Sequence, residues 1–255
     1  MAWLRIAHRG AAGTRPELTR PAFERALEIG VDMIELDVHL TRDQALVVLH
    51  DRELGRTVRG RGFVRDHTLA DLTARDAGAW FGPDYAGTPV LALADVLDLT
   101  CDKAALNVEI KSPDVDWGAT ASALLELLMA KDRLEATIIS SFEMGALQEV
   151  RTRSRSARLG VLWQNTELDP MWRAAEALQA RSAHPHWSLV DASLVAEAHE
   201  RDLAVIVWTV NDPLAMRRLA GLGVDGIISD YPERFSEAAT MPQGAAACSP
   251  SDRGT

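Results

Sequence analysis

Cysteine is scarce, with two residues in a chain of 255. Cys101 and Cys248 lie far apart, the second in an Ala-, Gly-, Pro- and Ser-rich tail, so they form no disulfide framework and no metal site. A surplus of positive charge is also missing: 27 Lys and Arg face 37 Asp and Glu, a net −10. That balance lacks the basic footprint of a nucleic-acid binder. No apolar run approaches the roughly 20 residues that a bilayer span needs. The strand-like segment 3–7 is too short and too near the N-terminus to be a signal-peptide core. The expectation is a cytoplasmic, disulfide-free protein with no nucleic-acid partner and no stable membrane association. At 47% hydrophobic and 25% charged residues, the chain has the make-up of a soluble globular protein of one large domain or two small ones.

What is present is alternation. Short β-branched runs at 4–7, 33–38, 106–111, 137–140, 157–162, 183–188, 204–210 and 226–229 make eight strand candidates. A further run, 46–49, follows the second by a turn and extends it. Between them lie segments with helical spacing. Phe23, Ala26, Leu27 and Ile29 follow Thr19 as a cap and precede Gly30 as a stop. Segments 121–129, 171–180, 193–201 and 214–222 repeat the pattern, the last opening on Asp212 and Pro213. Such alternation over this length predicts an α/β fold, a (β/α)8 TIM barrel, with a doubly wound open sheet as the rival. Residues 52–89, rich in Gly, Arg and Asp, form a short insertion after the second strand. Residues 1–235 then make one barrel domain, and 236–255 a disordered tail.

The polar residues favour the barrel. In Ile34-Glu35-Leu36-Asp37-Val38 the two carboxylates share one face of the strand, as Asn107, Glu109 and Lys111 do in theirs. Interior parallel strands are ordinarily apolar, so three carboxylates on two of them mark a site. One reading is a buried salt-bridge network with Lys111 and an arginine. Yet two carboxylates about 5 Å apart repel by roughly 3 kcal/mol at an effective dielectric near 20. A divalent ion relieves this at one point, and all-oxygen ligands select Mg²⁺ or Ca²⁺. His8 and His50 each close a strand, where barrel active sites are built. An acid and a base beside a carboxylate cluster are what hydrolysis needs. His39 is placed at the rim, His67 in the insertion and His199 on a helix, while His184 and His186 flank Pro185 at the sixth strand.

His8-Arg9-Gly10, Arg15-Pro16-Glu17-Leu18-Thr19, Ile34-Glu35-Leu36-Asp37-Val38 and Leu49-His50-Asp51 resemble the N-terminal signature of the glycerophosphodiester phosphodiesterase family. Val108-Glu109-Ile110-Lys111, Ser140-Ser141-Phe142, Val207-Trp208-Thr209-Val210-Asn211 and the run 223–230 continue the match in order. The resemblance implies a (β/α)8 barrel and hydrolysis of glycerophosphodiesters to glycerol 3-phosphate and an alcohol, within glycerol and lipid metabolism. It implies a divalent metal on Glu35, Asp37 and Glu109, with His8 and His50 as the acid–base pair. Arg9 and Lys111 would hold the phosphate, Glu17 would lie near the metal or the glycerol hydroxyls, and Trp208 would line the pocket. The nucleophile is water or the substrate's own glycerol 2-hydroxyl. Leu18 departs from the family's asparagine, which bears on the loop rather than on the metal site. Two alternatives stand beside this reading: a phospholipase D-like or lysophospholipase D-like diesterase, signalled by apolar residues such as Trp80, Phe81 and Tyr85, and a non-catalytic binding barrel.

Overall fold

The structure is a computed structural model and describes residues 3–111 and 116–240. Its strands are β1 (Leu4–His8), β2 (Met33–Leu40), β3 (Leu46–Val48), β4 (Leu91–Ala92), β5 (Ala105–Ile110), β6 (Thr137–Ser141), β7 (Arg158–Trp163), β8 (Ser182–Pro185), β9 (Ala204–Val207) and β10 (Gly226–Ser229). The helices are α1 (Arg20–Ile29), α2 (Leu69–Thr73), α3 (Leu93–Thr100), α4 (Trp117–Ala130), α5 (Met144–Arg153), α6 (Asp169–Ala177), α7 (Ala192–Glu200), α8 (Pro213–Leu222) and α9 (Phe235–Thr240).

Eight strands run parallel in the order β1, β2, β5, β6, β7, β8, β9, β10, and β1 pairs with both β2 and β10. The sheet therefore closes, giving a (β/α)8 barrel and excluding the open doubly wound rival. Alternate strand residues build two cores. Ile34, Leu36, Val38, Leu106, Val108 and Ile110 face the helices. Ile6, Ile138, Ile206 and Ile228 pack with Met33 as an apolar floor inside the barrel. The barrel helices obey their local signals. Gly30 ends α1 in the left-handed conformation at φ 77°, and Asp212 caps α8 by accepting from Leu214 N at 3.1 Å.

Several expectations need correction. Segment 46–49 does not extend the second strand. It returns antiparallel along it, with Val38 opposite Val48 and Leu40 opposite Leu46. The turn between them is closed by Thr41 Oγ1, which donates to Asp43 Oδ1 at 2.6 Å, and holds Gln44 at φ 61°. Thr19 sits at the start of α1 but makes no side-chain cap, because its hydroxyl donates to Pro16 O at 2.6 Å. Helices α3 and α5 are absent from the helical segments read above. They form because Leu93, Val96 and Leu97, and Ala146, Leu147 and Val150, fall at helical spacing and are buried. Residues 236–240, assigned to the tail on composition, belong to α9, where Phe235 and Ala238 are buried. The remainder of that tail, 241–255, lies outside the described residues.

Residues 52–89 hold α2 and a small core of Leu54, Val58, Val64, Leu72 and Ala77 packed on Val47 and Leu49 of the β2–β3 return. Trp80, Phe81 and Tyr85 form an aromatic cluster within this segment. They stack edge to face on one another at 5.6 Å, with Trp80 and Phe81 exposed. Among the described residues no helix is long and apolar enough to cross a membrane.

Gly10 shows how tightly the first loop is seated. It adopts φ 79°, and a Cβ there would lie 2.7–2.9 Å from Ala22. A Gly10→Ala variant is expected to lose about 2–4 kcal/mol, combining the left-handed penalty with overpacking. Denaturant unfolding checks this; an unchanged midpoint would mean that the loop and α1 separate at little cost.

Candidate active site

The register of β2 and β5 assembles the carboxylates. Asp37 lies opposite Glu109 and Glu35 opposite Asn107, all on the inner face at the C-terminal mouth of the barrel. Glu35, Asp37 and Glu109 are buried and present ligand atoms within 4.8 Å of one another. Burial, with the charges of Asp37 and Glu109, holds the Glu35 carboxyl well above the usual range. Burial and Asp37 push Glu109 up to about 7, against the pull of Lys111. Burial would raise Asp37 too, but Lys111 and Arg9 outweigh it and hold this carboxyl below its ordinary value.

Two cations reach this triad. Lys111 Nζ lies 2.9 Å from Glu109 Oε1 and 3.5 Å from Asp37 Oδ1, and Arg9 Nε lies 3.3 Å from Asp37 Oδ2. The salt-bridge network read from the sequence therefore exists, but it is incomplete. Three carboxylates face two cations, and Arg9 is shared with Glu17 at 3.0 Å. Arg9 Nε and Asp37 Oδ2 are also misaligned, so both are buried without a hydrogen bond among the described residues. An orphaned, buried carboxylate oxygen in an all-oxygen set fits a hard divalent cation.

A pH test follows from Glu109. In metal-free protein the unfolded carboxyl titrates near 4.5 and the folded one near 7. Between those values folded Glu109 binds more protons than unfolded Glu109, so its own contribution to stability falls as pH rises from about 4.5 to about 7, against the rise that the buried His184 imidazole contributes. The melting-temperature difference between the parent and Glu109→Gln should therefore shift against the parent across that window, and only when cations are withheld. A parent that instead gains on Glu109→Gln across that window in chelator would overturn the placement of Glu109.

The histidines are held alike. His8 ends β1, and its Nδ1 contacts Asp230 Oδ1 at 2.6 Å, leaving Nε2 3.8 Å from Glu35 Oε2. Asp230 is fixed by Asn211 Nδ2 at 2.7 Å, and Asn211 Oδ1 accepts from Ser229 Oγ and Asp230 N. His50 reaches the mouth through the β2–β3 return, with Leu49 N bonded to Asp37 O at 3.2 Å. Its Nδ1 contacts Asp51 Oδ1 at 2.7 Å. Burial and the cations Arg9 and Lys111 hold the His50 imidazole below its ordinary value, with Asp37 pulling the other way. His8, Arg9, His50, Lys111 and Trp208 line one cavity of about 130 Å³ above Glu35 and Glu109, completed by Phe142, Leu162 and Ile228. Trp208 is pinned by Nε1 to His184 O at 2.8 Å and stacks on Phe142 at 5.3 Å.

The other candidates fall elsewhere. Glu17 does not line this cavity; its carboxylate is gripped by Arg9 and Arg56. His39 is buried, with Nε2 on His50 O at 3.0 Å. His184 is a core residue beneath Trp208, its imidazole lowered to about 3 by burial, and His186 packs outside the Trp208 ring at 5.2 Å. His67 bonds Arg61 O and His199 pairs with Asp225. Trp80, Phe81 and Tyr85 stay outside the cavity. Leu18 takes φ 57°, a conformation asparagine favours, while its side chain is buried in the core. Asp51, Arg56, Asn211 and Asp230 were missed as site residues. Asp230 was within reach of the rule that found His8, since it closes an apolar strand. Asp51 adjoins His50, but nothing in the sequence singles out Arg56 among the arginines of its segment.

A parallel barrel that gathers three carboxylates, two cations and two carboxylate-bound histidines at its mouth is equipped for acid–base chemistry on an anionic group. The model of the glycerophosphoryl diester phosphodiesterase family matches residues 8–234. The chain is 40% identical over 234 residues to a glycerophosphodiester phosphodiesterase of Caldanaerobacter subterraneus subsp. tengcongensis, covering 91% of this chain and 96% of that protein. It is 35% identical over 248 residues to a glycerophosphodiester phosphodiesterase of Bacillus subtilis, with 91% and 85% covered. The fold superposes on an Oleispira antarctica phosphodiesterase solved with its product sn-glycerol-3-phosphate, at a TM-score of 0.86, 29% identity and 92% and 96% coverage. The chain belongs to the glycerophosphoryl diester phosphodiesterase family, and so to the phosphoric diester hydrolases.

Proposed function

We propose that the chain hydrolyses glycerophosphodiesters to glycerol 3-phosphate and an alcohol, by histidine acid–base catalysis at a divalent-cation site. The observation that carries this is the matched pair of histidines, each with Nδ1 on an aspartate and both lining the cavity beside the carboxylate triad.

Glu35, Asp37 and Glu109 hold the cation, Mg²⁺ or Ca²⁺, whose positive charge polarises a phosphoryl oxygen when bound. Arg9 and Lys111 bind the non-bridging oxygens through charge-assisted contacts. One histidine takes the proton of the attacking hydroxyl, from water directly or from the glycerol 2-hydroxyl, the latter route giving a cyclic phosphate that a water then opens to glycerol 3-phosphate. The other donates a proton to the departing alkoxide as the phosphorus–oxygen bond breaks. The apolar wall of Phe142, Leu162 and Trp208 flanks the reacting group. The substrate is a small water-soluble diester, met in the cytoplasm.

The test offers glycerophosphocholine, glycerophosphoethanolamine, glycerophosphoglycerol and lysophospholipids with each cation, scoring free alcohol and glycerol 3-phosphate. The expected result is equimolar glycerol 3-phosphate and alcohol from the glycerophosphodiesters. Turnover confined to lysophospholipids, or none at all, would replace this reading with a lipid diesterase or a binding barrel.

A further inference from the structure

The two histidines are held by the same device with different hardware. Behind His8, Asp230 is fixed by Asn211 from the loop after β9. Behind His50, Asp51 is fixed by Arg56, which comes from the segment inserted between β3 and β4. Arg56 Nε and Nη2 donate to Asp51 Oδ2 and Oδ1 at 2.6 and 3.1 Å. Its Nη1 and Nη2 donate to Glu17 Oε2 and Oε1 at 3.1 and 2.7 Å. One guanidinium thus spans two carboxylates, and Glu17 continues to Arg9 at 3.0 Å. His39 holds the same residue from below through the His50 carbonyl.

From this chain of contacts we infer that Arg56 is a positioning residue for His50: it fixes the Asp51 carboxylate, and through it the imidazole tautomer that leaves Nε2 toward the cavity. The inference rests on the catalytic reading of His50 given above. Arg56 is itself absent from the lining of the cavity that holds both histidines, and it borders the adjoining groove beside Asp51. The Arg56 side chain is 45% exposed and Asp51 30% exposed, and an ion pair so placed adds little to global stability. Its geometry matters more, since a fork that binds two carboxylates edge-on cannot be copied by a lysine. Asp51 stays anionic over any working pH: burial would raise it, but bonds from Arg56 and His50 bring it to about 2.

The experiment compares Arg56→Gln and Arg56→Lys with the parent, and each again in a His50→Ala background. Both single variants should fold with melting temperatures close to the parent. Turnover should drop about 10- to 100-fold, as losses of orienting partners do, with KM changed less than threefold and little rescue by lysine. Long-range proton–nitrogen NMR should show His50 fixed as the Nδ1–H tautomer in the parent and mixed in Arg56→Gln. In the His50→Ala background, Arg56→Gln should cost no more than twofold further. A rise in KM with unchanged kcat, full rescue by lysine, or an unshifted tautomer would overturn the inference. If His50→Ala itself keeps its turnover, the catalytic reading falls, and the tautomer spectrum still decides whether Arg56 positions the ring.

Discussion

Alanine in place of either His8 or His50 is expected to cut turnover by about 10²–10⁴-fold while leaving the fold intact. Both side chains are partly exposed, at 18% and 30%, so neither fills a sealed core position. Each leaves behind an aspartate that keeps another partner, Asn211 for Asp230 and Arg56 for Asp51. No unpaired buried charge is created, which is the usual route to large destabilisation. Steady-state kinetics beside thermal melts will separate the two effects. Near-parent turnover in either variant removes that histidine from the acid–base pair, whatever the melt shows.

Stripping divalent cations is expected to abolish turnover and Mg²⁺ or Ca²⁺ to restore it, with a matching signal in stability. A ligand at 100 times its dissociation constant stabilises by about 2.7 kcal/mol. For a domain of this size that raises the melting temperature by about 5–10 °C. Glu35→Gln sharpens the test. Burial, Asp37 and Glu109 all disfavour the charge on Glu35, and a glutamine oxygen can still accept the Arg9 backbone N–H that Glu35 Oε2 holds at 3.1 Å. Metal-free Glu35→Gln should therefore be at least as stable as the parent at neutral pH. It should also lose both activity and the cation-dependent shift, the trade expected where function stores like charge. A parent enzyme fully active in excess chelator would take the cation out of the reaction. A Glu35→Gln variant that still responds to cations would take Glu35 out of the ligand set.

Some of this site is legible in the sequence alone, because side chains alternate along a strand. Glu35 and Asp37 had to share a face, as did Asn107 and Glu109, and a polar face on an interior strand has few bland explanations. His8 was visible for a related reason, as the residue closing an apolar strand. Its orienting partner Asp230 obeys the same rule on β10, yet lies 222 residues away. Pairing the two requires barrel closure between β1 and β10, which no local pattern encodes. The return of β3 is not legible, because the short apolar run 46–49 carries no direction of its own. Only its antiparallel hydrogen bonds show that the chain doubles back and delivers His50 over Asp37.

The opening absences hold a similar lesson. An acidic total of −10 argues against a polyanionic partner, but charge counted along a chain has no address. The sequence by itself determined the strand–helix alternation and which carboxylates share a strand face. Those depend on local periodicity and on which groups bear charge or protons. Tertiary structure alone decided that Asp37 keeps an oxygen without a hydrogen bond among the described residues, that Asn211 stands behind Asp230, and that Arg56 crosses from the insertion to Glu17 and Asp51. Those are contacts between segments distant in the chain. They are set by barrel register and loop packing to within an ångström, a precision that spacing in a sequence does not carry.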